Sequence, residues 1–551
     1  MKQENKFWDI YPRPQLKRES YYSLNGEWTL NQKPVLIPYP PQSPLSQYHD
    51  TVDDHLHYEK NFHIPSHFFQ DNKRIILHFG AVDQITDVYI NDSFVGQHIG
   101  GYLPFSFDVT SYVHQEENRL VVEVIDELSH DYPYGKQTKE PGGMWYTPVS
   151  GIWQSVWMEC VPENEIKNIK ITTSLTHLYL EVDTDAPTYT ITIPYENETF
   201  KQTYTEKKIS IDLSDVFSEV HLWSVDDPYL YPLYIHTNTD SIESYFAMRK
   251  ISIQKQNGLQ RICLNDQPIF LHGVLDQGYY HDGLFTPNKP EEYKNDILRM
   301  KELGLNMLRK HIKIEPDIFY YYCDQLGMLV MQDMVNNGSY SYLFDTVLPN
   351  AGILYRPDKV SRKKKKHEFF IQHMKDTLYH LHNHPCIIAY TIFNEGWGQF
   401  NSDDMYDLCK GIDSTRLYDS TSGWFWQKKS DVESYHVYFK NKVLRVKKDK
   451  PVLLSECGGY TRAIPRHVYK EDTTYGYGSA DDENALTRKI IQLYDEMVFP
   501  SIPQGLCGSI YTQVTDIEEE INGFYTYDRE ICKVNKKEMQ LLAKRLKDSF
   551  Q

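Results

Sequence analysis

The sequence predicts a multidomain chain: two N-terminal β-sandwiches, jelly-roll-like and then immunoglobulin-like, followed by a (β/α)8 barrel of the TIM class. Three observations carry this. The 551 residues exceed what one hydrophobic core holds, so the chain should divide. Up to about residue 255, short alternating apolar runs are separated by turn residues, the mark of antiparallel β structure. From about 256 onward, strand-like runs alternate with helical periodicity, as in βα units.

Residues 1–160 form the first predicted sandwich. Alternating runs at 74–79, 87–90 and 119–124 are punctuated by Asn91-Asp92 and Gly100-Gly101. Residues 161–255 continue the rhythm, for example at 189–193, and are long enough for one immunoglobulin-like sandwich. The Asp226-Asp227-Pro228 turn breaks that pattern near its end. Residues 256–551 carry apolar runs at 269–274, 305–308, 328–331, 387–393, 416–420, 435–438, 452–454 and 508–512. These eight candidate strands match a (β/α)8 barrel. Helical spacing at 290–303 and 367–382 falls between them, as does a helix bounded by Pro316 and Gly327.

Composition narrows the function. A net charge of -18 repels phosphate backbones, so no nucleic-acid partner is expected. The basic run 363–366 reads as a solvated face. Mean hydropathy is -0.57, and no run approaches the ~20 apolar residues of a membrane span, so no membrane partner is expected. Residues 1–6 have no apolar core behind their charges, which argues against a secretion signal. The eight cysteines are scattered singly without metal-ligand spacing, so reduced thiols in a cytoplasmic protein are expected, with no metal and no cofactor. A homo-oligomer is left open. Aromatic residues make up 14% of the chain, which fits a carbohydrate partner because sugar C–H faces stack on rings.

Catalytic groups in such a barrel sit where strands end, at the carboxyl face. The fourth predicted strand runs into Asn394-Glu395-Gly396-Trp397, and the seventh into Ser455-Glu456-Cys457-Gly458. Two glutamates on one face are what glycoside cleavage needs: one protonates the leaving oxygen, the other attacks the anomeric carbon or activates water. Further polar groups end other strands: Asp276, Arg309, Lys310, His311, Gln332, Asp333, His436, Tyr438, Gln513 and Asp516. Of these, Asp276, Arg309, His311, Asp333, His436, Tyr438 and Gln513 join Asn394 and Trp397 as candidate substrate-binding residues. His382-Asn383-His384 precedes its strand and so points to the opposite end from a metal-assisted site.

Taken in order, these motifs resemble glycoside hydrolase family 2, which includes β-galactosidases and β-glucuronidases. The resemblance spans Tyr11-Pro12-Arg13-Pro14, Leu24-Asn25-Gly26-Glu27-Trp28, Ser150-Gly151-Ile152-Trp153-Gln154, Leu303-Gly304-Leu305-Asn306, Cys323-Asp324-Gln325-Leu326-Gly327, His384-Pro385 and Asn394-Glu395. It implies Glu395 as general acid/base, Glu456 as nucleophile, and a retaining exo-acting β-glycosidase. It also implies that Asn394 bonds the sugar 2-hydroxyl. The family's Arg-x-Ser-His is here Arg309-Lys310-His311, and Cys457 replaces an aromatic residue after the nucleophile.

Segment 522–526 aligns with the loop where β-glucuronidases carry an Asn-x-Lys pair for the substrate carboxylate, but it has no lysine. A neutral β-glycoside such as a β-galactoside is therefore expected, with Lys310 at the rim of strand two as the main threat to that reading. The alternatives are a β-glucuronidase of the same family, a transglycosylase, or a non-catalytic carbohydrate-binding protein.

Overall fold

The computed structural model describes residues 8–69, 73–350, 353, 358, 364–447, 449–472 and 475–550. Residues 1–6 and Lys363 of the basic run lie outside them. In the first sandwich, a six-stranded sheet faces a four-stranded one. Strand His55–Phe62 pairs antiparallel with Asn118–Ile125, and Val156–Pro162 with Lys73–Phe79. Trp28 and Trp153 are core residues, 3% and 0% exposed. Their indole N–H groups donate to the carbonyls of Leu24 and Gly101 at 2.7 and 2.8 Å, so the polar atoms are satisfied inside the core.

The second sandwich has one sheet of three strands and one of four. It docks on the barrel where Trp223 Nε1 donates to the Asp324 carbonyl at 2.8 Å. Close approach there requires Gly327, whose φ is +68° and where a Cβ would sit 2.6 Å from the Val225 carbonyl oxygen.

The barrel strands are β1 (Leu271–Asp276), β2 (Met307–Lys310), β3 (Leu329–Asp333), β4 (Ile387–Asn394), β5 (Leu417–Ser422), β6 (Glu433–Val437), β7 (Val452–Gly458) and β8 (Leu506–Thr512). They run parallel in the spatial order β5-β4-β3-β2-β1-β8-β7-β6, a nearly closed barrel with β5 and β6 flanking the gap. All eight predicted strands are present, with ends shifted by a few residues. Almost every strand residue is buried, because side chains fill the barrel on one face and pack against helices on the other. All eight cysteines are free thiols, and seven are buried.

Candidate active site

Strand β4 ends at Asn394, and Glu395 follows in the left-handed region at φ +52°. That conformation is costly for a non-glycine residue and often marks a functional position. Glu456 lies within β7, itself buried. His436, at the end of β6, joins the two. Its Nδ1 is 2.7 Å from Glu395 Oε1 and 3.5 Å from Glu456 Oε2. One oxygen of each glutamate and one nitrogen of His436 all lie within 4.8 Å of one another. Arg309, which can only donate, faces His436 Nε2 at 3.5 Å, so Nε2 accepts and the Nδ1–H is directed at Glu395.

The two carboxyls have different neighbours. Burial pushes Glu395 up, and the nearby Glu456 charge adds to this against the opposing pull of His436, so Glu395 holds its proton above the usual carboxylate range. Burial also opposes ionisation of Glu456. There His436, Arg309 and the Tyr438 hydroxyl outweigh it, and the carboxyl sits below its ordinary value. Arg309 Nη1 donates to Glu456 Oε1 at 3.0 Å, and Tyr438 donates a short hydrogen bond to Oε2.

The other candidates divide. Arg309 and Asp333 are 0% and 1% exposed and bonded to each other beneath the glutamates. They are positioning groups rather than sugar ligands, because their polar atoms are already committed. Arg309 Nη2 also donates to Asn394 Oδ1 at 2.9 Å, which leaves the Asn394 amide N–H groups for a substrate hydroxyl. His311 Nδ1 bonds Asp333 at 2.6 Å, and burial lowers its pKa to about 4, so the imidazole is neutral and its Nε2 is an acceptor. His436 likewise acts through the glutamates. Gln513 Nε2 donates to Asn522 Oδ1 at 2.9 Å, and its side-chain Oε1 is buried without a partner among the described residues.

Lys310 needs correction, and Asp276 is its partner. Neighbouring side chains on a strand alternate in direction, so Arg309 facing the barrel interior turns Lys310 away from it. The Lys310 ammonium lies 2.6 Å from Asp276 and 2.8 Å from Glu315, over the Phe319 ring. Asp276 spends its other oxygen on the Gly278 N–H at 2.9 Å. Neither residue's hydrogen bonds reach the glutamates, and the Lys310 ammonium is spent on Asp276 and Glu315.

Sequence reading missed the residues that the first sandwich contributes. Its segment 130–147 is laced to the barrel. Tyr134 donates its N–H to the Asn336 carbonyl at 3.0 Å and its hydroxyl to Gly338 at 2.9 Å, and Thr147 N–H donates to Glu518 at 3.0 Å. This places Trp145 against Trp397 and Tyr340, with ring centroids 5.5 and 4.9 Å away, and lays Lys136 over Trp397 at 5.3 Å. The only local signal was a polar, glycine-bearing stretch, which reads as an ordinary loop. In segment 522–526, Asn522 is engaged with Gln513 and Glu520. The absence of a lysine there is therefore not an absence of cations at the mouth.

Comparison with known proteins places this geometry in a family. Residues 15–162 match the sugar-binding domain of glycosyl hydrolases family 2, and residues 254–496 its TIM barrel domain. A β-galactosidase of Thermoanaerobacter pseudethanolicus is 23% identical over 65% of this chain and 47% of its own length. One from Priestia megaterium is 25% identical over 66% and 37%. The chain thus spans less than half the length of these relatives. Among solved structures, a β-glucuronidase from an uncultured Clostridium superposes with TM-score 0.76 at 20% identity, covering 98% of this chain and 100% of its own. A Lactobacillus rhamnosus β-glucuronidase gives 0.76 at 19%, covering 97% and 98%. At these identities the structural likeness speaks to the fold. The two domain matches, in order and across most of the chain, make it a member of glycoside hydrolase family 2.

Proposed function

We propose that the protein is a retaining, exo-acting β-glycosidase, with Glu456 as nucleophile and Glu395 as general acid/base. The carrying observation is the close approach of the two glutamates, one oxygen of each within 4.8 Å, bridged by His436. Retaining enzymes need carboxyls ~5–5.5 Å apart, whereas inverting ones leave room for water at ~6.5–9.5 Å. The opposed pKa directions support the division of roles: the ionised Glu456 attacks the anomeric carbon while Glu395 gives its proton to the departing oxygen. Once the leaving group has gone, Glu395 is ionised and takes a proton from water. That water attacks the anomeric carbon and releases Glu456, so the starting configuration is restored. The amide N–H groups of Asn394 and the Nε2 of neutral His311 support hydrogen bonds to sugar hydroxyls, and the sandwich segment laced to one side of the mouth supports a terminal sugar. Relatives named β-galactosidase and β-glucuronidase support a β-linked hexoside.

The test is the anomer first released from a 4-nitrophenyl β-glycoside, followed by proton NMR before mutarotation. The β-anomer is expected, and first release of the α-anomer sinks the assignment.

A further inference from the structure

Four lysines of the described chain are buried: Lys136, Lys310, Lys313 and Lys533. Three are neutralised by carboxylates, Lys310 by Asp276 and Glu315, Lys313 by Glu315, and Lys533 by Asp516 at 2.6 Å. Lys136 is 7% exposed, yet among the described residues its ammonium has no hydrogen-bond or ion-pair partner. It lies over two rings, 5.3 Å from the centroid of Trp397 and 5.8 Å from that of Tyr146. The Trp397 indole N–H is also buried without an acceptor among the described residues. A charged donor and a neutral one thus stand in one wall of the site, both unspent. The Lys136 ammonium, unlike Trp397 Nε1, keeps some contact with solvent, so it rests against the two rings and stays open to an incoming anion.

The position is rigid. At Gly135, φ is +69°, and a Cβ would fall 2.8 Å from both the Ile312 carbonyl oxygen and the Tyr102 hydroxyl. Gln137 donates to Asp83 at 3.0 Å and to Tyr102 at 3.1 Å. Asp83 brings no counter-charge, since burial, with Asp126 nearby, pushes its carboxyl well up. Trp397, under the Lys136 ammonium, has its ring centroid 6.1 Å from that of His311, which sets Lys136 beside the glutamate cluster.

We propose that Lys136, supplied by the sandwich rather than the barrel, is the specificity-determining residue of this site and pairs with the carboxylate of a hexuronic acid glycone. The proposal rests on the glycosidase reading for its reaction, but not for its binding. A carboxylate entering the pocket loses its hydration, and the waiting ammonium is the group that offsets this. A neutral sugar would leave Lys136 as uncompensated as before.

The experiment compares wild type, Lys136→Gln and Lys136→Arg on the 4-nitrophenyl β-D-glucuronide and β-D-galacturonide against the β-D-glucoside and β-D-galactoside. Calorimetric titration of free D-glucuronate and D-galacturonate, beside the neutral sugars, runs in parallel, with thermal midpoints confirming folding. Wild type should prefer a uronide. In Lys136→Gln the uronide-to-neutral ratio of kcat/KM should fall about 10²–10³-fold, as expected when one partner of a buried charge pair is removed, with Lys136→Arg retaining part of it. A wild type that prefers a neutral glycoside, or a Lys136→Gln that keeps the ratio, overturns the proposal. If no glycoside is turned over at all, the glycosidase reading fails and titration alone decides. Uronate binding that is lost in Lys136→Gln upholds the role of Lys136, and absent or unchanged binding overturns it.

Discussion

Glu395 and Glu456 are the same residue type at comparable strand positions, yet their surroundings drive them toward opposite protonation states. At the end of β4, Glu395 has burial, a nearby negative charge and one histidine donor. On β7, Glu456 has the Arg309 guanidinium, the Tyr438 hydroxyl and a share of the same histidine. One carboxyl is kept as an acid and the other as an anion. On the proposed mechanism the division of roles therefore lies in Arg309 of β2 and in His436 and Tyr438 at the end of β6, rather than in the glutamates themselves.

Removing the anion should have the largest effect. Glu456→Ala should abolish turnover, and azide, filling the space below the anomeric carbon, should restore it with an α-glycosyl azide as product. Mass and NMR analysis of that product checks this, and a variant with near wild-type activity would falsify the assignment.

Removing the acid should cost less, because good leaving groups need no proton. Glu395→Ala should lose about 10²–10⁴-fold on substrates with poor leaving groups, and azide should give the β-azide. In wild type, kcat/KM should be bell-shaped with two apparent values belonging to the pair. The acid limb marks protonation of Glu456 and lies low, whereas the basic limb marks loss of the Glu395 proton and lies high. Glu395→Gln should flatten the basic limb on activated substrates, and an unchanged limb would place the proton donor elsewhere.

Arg309→Met makes the two surroundings more alike. It leaves Asp333 and Glu456 buried without their cation, so unfolding by urea should show a loss of ~3–5 kcal/mol. Because Glu456 then ionises less readily, the acid limb should move to higher pH. A limb that stays in place would mean that Arg309 serves only to hold the fold.

The smallest effect should come from Tyr438→Phe. Losing one hydrogen bond to a charged group is worth ~1.5–3 kcal/mol, or about tenfold to a hundredfold in kcat/KM. The acid limb should again rise, by less than in Arg309→Met. Equal shifts in the two variants would show that the guanidinium and the hydroxyl act as one unit.

The sequence by itself determined a good deal, for local reasons. Each barrel strand is a short apolar run bounded by turn residues, so Glu395 and Glu456 could be placed on one face without coordinates. Tertiary structure decided what periodicity cannot carry. A strand buried on both faces has no polar–apolar alternation, so Arg309 and Lys310, adjacent and both cationic, could not be sorted into inward and outward residues. Packing against Phe319 and Glu315 turns Lys310 outward, and Asp276 goes with it. Lys136 lies far from both glutamates in sequence and belongs to another domain, so only the docking of the sandwich on the barrel brings its charge to the site. Electrostatic roles depend on distances between side chains, and those exist only once the chain has folded.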